Sequence, residues 1–211
     1  MPNKNTPHLE RRVITASTIH FERREDKSIT VEGIAAPYNS DSVDLGYFVE
    51  RYAPGCFTRT LKERPDIRAL VDHDTGLIVG RTTAGNLEMF DTKEGLGYRF
   101  TPPDTTIGRD LAYNIENRIL TNVSIGFMIL DHRWTKEKDT YVRTLLDVEL
   151  WEMSFVAFPA YPETTAEARD LKSLDLEQVL EDGKRELAAP LEQRQREAAA
   201  RRRRIEIARR K

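Results

Sequence analysis

Between about residues 11 and 160, apolar residues fall in short runs that alternate with polar ones. The runs Arg11–Ala16, Ser28–Ala35, Ile67–Val71, Leu77–Arg81 and Gly97–Phe100 read as strands. Asn122–Leu130, Tyr141–Leu146 and Val148–Phe158 continue the pattern, and His20 sits in a further edge strand. Gly33, Pro37, Gly46, Pro54, Gly55, Gly76, Gly85 and Gly95 punctuate the runs. Two helices interrupt them. Pro54 and Gly55 open one over Cys56–Glu63, which Pro65 ends; the other spans Thr106–Asn117, with Thr105 or Thr106 as N-cap and Leu111, Ile115 and Arg118 on one face. The pattern predicts a mixed α/β, mainly β fold: a closed or nearly closed antiparallel β-barrel surrounded by a few helices.

The pattern changes after Pro162. From Ala166 onward there are no aromatics, and Leu171, Leu174, Val179, Leu180 and Leu187 form a weak helical stripe that Pro190 breaks. Gln193–Lys211 is helix-prone with few apolar residues, which predicts a solvated helix or a tail disordered until a partner binds. Three segments follow: an N-terminal arm and first strand (1–25), a core domain (26–165) and a charged tail (166–211), basic from 190.

Charge sharpens this division. The 211 residues carry 33 Lys and Arg against 35 Asp and Glu, a net charge of -2. From Pro190 onward, nine basic residues face three glutamates, a local +6, which leaves -8 for the rest. An arginine-rich tail is a common nucleic-acid-binding element, and it is the only feature pointing that way. No run of about 18 apolar residues exists, so no membrane-spanning helix is expected. One cysteine, Cys56, excludes a disulfide framework, and the polar start Met1–Arg12 does not resemble a secretory signal. A reducing, intracellular setting is the resulting expectation.

Three places carry candidate chemistry. His73 ends the apolar run Ile67–Val71, between Asp72 and Asp74 and before a turn at Gly76, where a side chain can reach a cleft. Ser124 and Gly126 share one face of Asn122–Phe127, opposite Val123, Ile125 and Phe127, so a substrate backbone could approach a hydroxyl there. In Leu145–Pro159, unbroken alternation puts Glu152 on one face with Leu146, Val148, Leu150, Ser154 and Val156. A lone carboxylate there costs several kcal/mol unless paired, and a histidine N–H would satisfy it. Asp147 and Glu149 fall on the opposite face, open to solvent. Each feature also has a plain reading: a turn histidine, a strand serine beside a bulge glycine, a structural ion pair with an arginine. Together they supply a nucleophile, a base and an acid. A metal site from Asp72, His73, Asp74 and His132 is the rival constellation, but on an extended segment both aspartates point away from His73 and no close His pair exists. No phosphate-binding glycine loop is present, and no cofactor is expected.

Several motifs, in order, resemble the prohead proteases of tailed bacteriophages, which are similar in fold to the herpesvirus assemblin proteases. They are Glu32–Asn39, Tyr52–Phe57, Leu70–Asp74 with Val79–Arg81, Asp104–Asp110, Val123–Phe127, and Leu150–Val156 with Phe158–Ala160. The resemblance runs from about Val31 to Pro162. A small residue usually stands at the position of Cys56, Asn117 replaces a common glycine, and Met153 replaces a usual β-branched residue.

The resemblance implies a serine endopeptidase of phage head maturation. Ser124 would be the nucleophile, His73 the general base and Glu152 the third member, with Glu149 the runner-up. Gly126 and Arg81 are the candidates for oxyanion or supporting roles. It further implies capsid and scaffold proteins as substrates, self-cleavage, and action inside the prohead in the bacterial cytoplasm. A homodimer is an expectation from the herpesvirus enzymes, which depend on one. The basic tail then reads as a removable packaging or scaffold-binding appendage, with nucleic acid as the second reading. The alternative to an enzyme is a β-barrel scaffolding module that kept the fold and lost the activity.

Overall fold

A long two-stranded ribbon organises the chain in its computed structural model, which describes residues 9–14, 20–23, 29–45, 48–63, 66–157 and 176–209. Among the described residues the strands are β1 (Leu9–Ile14), β2 (His20–Arg23), β3 (Ile29–Pro37), β4 (Phe48–Tyr52), β5 (Arg68–Val71), β6 (Asp74–Arg81), β7 (Leu87–Asp91), β8 (Gly95–Phe100), β9 (Asn122–Glu137) and β10 (Thr140–Val156). The α-helices are α1 (Thr58–Glu63), α2 (Thr106–Glu116), α3 (Leu176–Ala188) and α4 (Leu191–Arg209). One sheet has the order β1-β9-β10-β5-β6, with β4 also on β10; the other runs β2-β3-β8-β7.

β9 and β10 form the ribbon, and both exceed the runs that periodicity marks. Their outer halves are charged, so the apolar alternation fades before the hydrogen-bond ladder does. The far edge of β10 is shared. Its first half takes β4 in parallel (Tyr141–Leu145 beside Phe48–Tyr52), and its last part takes β5 in parallel (Glu152–Phe155 beside Arg68–Val71). Between them α1 and the turn before it supply the missing partners. Val148 N–H donates to the Cys56 carbonyl at 3.1 Å, and Leu150 N–H donates to Thr60 Oγ1 at 3.0 Å. Arg59 pairs with Asp147 at 2.9 Å, so Asp147 is an ion-pair partner rather than a solvated group.

The core lies where the two sheets share apolar side chains. Val31, Tyr98 and Phe100 come from one sheet; Val123, Ile125, Phe127, Leu150, Met153 and Phe155 come from the other. Phe155 is held between Tyr98 and Phe100, with ring centroids 6.1 and 5.1 Å away. The mixed, mainly β class agrees with the periodicity. Among the described strands, however, neither sheet closes on itself: β1 and β6 end one, β2 and β7 the other. Alternation reports which face is buried and carries no information on closure.

α2 starts as its cap predicts, with Thr105 Oγ1 accepting from Gly108 N–H at 3.1 Å. Leu111 and Ile115 are buried, but Arg118 is not on their face; it lies past the helix with φ 56°. A second, smaller core joins the tail to the body. Leu180 of α3 packs with Leu45, Phe48 and Trp134, and Gly183 lies against the indole, where a Cβ would stand 2.5 Å from Trp134. Leu171 and Leu174 of the expected stripe lie outside the described residues. α4 is helical, as its composition predicts, and it is anchored to β9: Arg202 pairs with the buried Asp131, and Arg201 donates to His132 Nδ1 at 3.0 Å.

Candidate active site

The site is assembled on the neighbouring strands β9, β10 and β5. β5 and β6 are joined by a two-residue turn, Asp72-His73, between the paired residues Val71 and Asp74. Both turn residues are left-handed, at φ 47° and 58°. That geometry suits a tight hairpin but costs a non-glycine residue about 1 kcal/mol or more. Hydrogen bonds to the end of β10 oppose that cost. Asp72 N–H donates to the Phe155 carbonyl at 2.9 Å, Ala157 N–H donates to Asp72 Oδ1 at 2.9 Å, and His73 N–H donates to Ser154 Oγ at 3.2 Å. The strained turn thus fixes where the imidazole starts.

A bulge in β10 decides what the imidazole meets. Leu150 pairs with Phe127 but Glu152 pairs with Gly126, so Trp151 is the extra residue. Phe127 and Gly126 are adjacent and point to opposite faces. Glu152 therefore leaves the Leu150 face, which corrects the unbroken alternation expected from the sequence. Leu150, Met153 and Phe155 face the core with Phe127, Ile125 and Val123; Glu152 and Ser154 share the other face with Gly126 and Ser124.

On that face Glu152 Oε1 lies 2.6 Å from His73 Nδ1, and both side chains are buried. The second oxygen, Oε2, accepts from Ser154 Oγ–H at 2.7 Å. Ser154 thus ties the carboxylate to the backbone of the turn that carries the histidine. Its place on the Glu152 face was readable from spacing two residues apart; its bonds were not. Gly126 is where the carboxylate fits, because a Cβ there would collide with Glu152 Oε1. Ser124 pairs directly with Ser154 across the ribbon and is fully buried, and its Oγ makes no hydrogen bond among the described residues.

The remaining candidates stand elsewhere. Glu149 is buried opposite Met128, three residues before Glu152 and not against His73 Nδ1. Arg81 lies at the far end of the β5–β6 hairpin from His73, half-exposed and bound through two nitrogens to Asp66 at 2.5 and 2.7 Å. Asp74 Oδ1 accepts from Gly76 N–H, and His132 faces the tail. Among the described residues no group of three or more His, Cys, Asp or Glu could hold a metal ion. Burial pushes the Cys56 thiol well above its ordinary pKa, so it stays protonated and unreactive at neutral pH.

A buried serine, a histidine and a carboxylate on one sheet face are the parts from which serine hydrolases are built. The family model of caudovirus prohead serine proteases matches residues 17–178. The chain belongs to that family, and it is a serine protease of phage head maturation. Among solved structures it is similar to the bacteriophage T4 capsid assembly protease, gp21, with a TM-score of 0.51 and 13% identity over 71% of this chain and 98% of that one. At that identity the likeness speaks to the fold. No curated protein matches the chain. Among the described residues, no helix is long and apolar enough to cross a membrane.

Proposed function

We propose that Ser124, His73 and Glu152 form the catalytic triad of this endopeptidase. The observation that carries the reading is the 2.6 Å contact between Glu152 Oε1 and His73 Nδ1, with Ser124 on the next strand of the same face. His73, donating from Nδ1 to Glu152, presents Nε2 as base. It takes the proton from Ser124 Oγ as the oxygen attacks a peptide carbonyl, and Glu152 stabilises the imidazolium that forms. The imidazolium then protonates the leaving amine. In the second half, His73 deprotonates the water that hydrolyses the acyl-enzyme. Ser154 positions Glu152, and Gly126 supports the site by leaving room for the carboxylate. Arg81 is committed to Asp66, so backbone N–H groups are the better oxyanion donors.

The substrates are capsid and scaffold proteins and the chain itself, cleaved inside the prohead in the bacterial host cytoplasm. Residues 26–165 form the catalytic domain, and the segment from about Ala166 is the packaging appendage. Comparing the masses of the intact chain and Ser124→Ala over time tests the assignment. Self-trimming is expected in the wild type alone; trimming that persists in Ser124→Ala or His73→Ala refutes the triad.

A further inference from the structure

Asp72 has no part in the proposed proton transfers, yet it anchors the turn that carries the histidine. Val71 is the last residue of β5 paired with β10, opposite Phe155. In a regular parallel ladder the next residue would do two things. Its N–H would donate to the Phe155 carbonyl, and its own carbonyl would accept from Ala157 N–H. Asp72 does the first, with an N–H donated to the Phe155 carbonyl at 2.9 Å. For the second its side chain stands in: Ala157 N–H donates to Asp72 Oδ1 at 2.9 Å. Asp72 is already left-handed, at φ 47°, and a left-handed residue does not hold its carbonyl in the direction of a strand. The carboxylate thus carries the ladder one step past the end of β5 while the backbone turns. His73 follows at once, at φ 58°.

We propose, resting on the triad reading, that Asp72 is a positioning residue of the peptidase: its carboxylate clamps the turn to the end of β10 and so holds His73 on Glu152. The turn meets β10 through successive contacts. Asp72 holds Phe155 and Ala157, His73 N–H donates to Ser154 Oγ at 3.2 Å, and the ring reaches Glu152 Oε1 at 2.6 Å. The bond to Ser154 is at the long end of the usual range, so the two Asp72 bonds are the firmer hold on the backbone of the turn. The position asks for a residue that tolerates a left-handed backbone and also presents a side-chain acceptor at that reach. Aspartate and asparagine meet both demands. Asp72 is exposed, so replacing it empties no part of the core.

Two substitutions in the full chain separate the clamp from the turn. Asp72→Gly suits the left-handed backbone and removes the acceptor, whereas Asp72→Asn keeps both. Mass spectrometry locates the self-trimming site of the wild type, and a quenched-fluorescence peptide copied from that site gives kcat and KM. In Asp72→Gly, kcat should fall about tenfold or more with KM within about twofold, because the base is misplaced and no substrate contact is lost. Asp72→Asn should stay within about threefold of the wild type, and circular dichroism should match in all three chains. A proton resonance far downfield marks an imidazole N–H bonded to a carboxylate. In chains carrying Ser124→Ala, which stops self-trimming, that resonance should be present, persist with Asp72→Asn and broaden or vanish with Asp72→Gly. An Asp72→Gly chain with the kcat and the resonance of its parent overturns the clamp. So does one that unfolds, since the residue would then serve the fold and not the base. An Asp72→Asn chain as slow as Asp72→Gly would assign the effect to charge, and a rise in KM alone would place Asp72 on the substrate; either overturns the clamp. All of these leave the triad standing. A wild type that cuts neither itself nor the peptide, or hydrolysis by Ser124→Ala or His73→Ala, refutes the triad and the role of Asp72 with it.

Discussion

At the scale of single residues, the site depends on one short contact between buried groups. The Glu152–His73 pair has little access to water, so its attraction is screened far less than that of a surface pair. Replacing Glu152 by Gln keeps the shape but removes the charge that, in the proposed mechanism, stabilises the imidazolium. A fall in kcat of roughly a thousandfold or more is expected for Glu152→Gln. Glu149→Gln should cost less than tenfold, since Glu149 is not the group at Nδ1. Peptide hydrolysis by the two variants checks the ranking, and the reverse order would move the acid's role to Glu149. Cys56→Ser should remain active, because the thiol is buried and stays protonated at neutral pH. Loss of hydrolysis there, with the fold intact by circular dichroism, would count against a serine nucleophile.

At the scale of elements, the bulge at Trp151 and the turn at Asp72-His73 bring the parts together. Without the bulge, strict alternation would keep Glu152 beside Leu150, on the core face and away from Gly126. The bulge also makes Gly126 indispensable: on the unbulged pattern its lack of bulk merely leaves space, whereas in the fold that space is filled by a carboxylate. Gly126→Ala should therefore push Glu152 off His73 and abolish most peptide hydrolysis, while the chain stays folded by circular dichroism. Hydrolysis within twofold of the wild type would mean that the carboxylate does not need that space. The same elements show what was readable beforehand. Ser124, Gly126 and His73 stand out because small and polar residues interrupt apolar runs. The bulge leaves a fainter mark: the adjacent apolar pair Leu150-Trp151 moves the apolar phase from Val148 and Leu150 to Met153 and Phe155, a shift that unbroken alternation passes over.

At the scale of the whole molecule, the tail is tied to the body by α3 on Trp134 and by α4 on the Asp131-His132 end of β9. Burial, aided by the charges of Arg143 and Arg201, holds the His132 imidazole below its ordinary pKa, although Glu186 pulls the other way. Burial pushes the Glu186 carboxyl up, but its bonds to His132 and Arg201 outweigh that and hold it low. The two shifts act in the same direction on docking. Below about pH 6.5 a free His132 binds a proton that the docked form resists, so docking weakens as pH falls through that range. It weakens further as Glu186 becomes protonated. Protection of α4 amides against hydrogen exchange, with the base-catalysed intrinsic rate divided out, should therefore be higher at pH 8 than at pH 5.5, and His132→Gln should flatten the change between pH 7 and 6. Protection that is independent of pH would show that other contacts hold the helix.

The sequence by itself determined the mainly β class, the helix start at Thr105, the split between an acidic body and a basic tail, and the candidates for the chemistry. These are local matters: alternation, capping and residue type act within a few positions of the chain. Only the tertiary structure decided that β9 and β10 run on as one long ribbon, that two sheets share the core, and that Glu152 rather than Glu149 meets His73. It also decided that β1 covers the strand of Ser124 and that Arg201 and Arg202 reach back to β9. Each of those depends on strand register or on contacts between residues tens of positions apart. A shift of one residue in pairing exchanges the faces of a strand, and the adjacent apolar pair Leu150-Trp151 marks the place of such a shift without saying which residues it brings together.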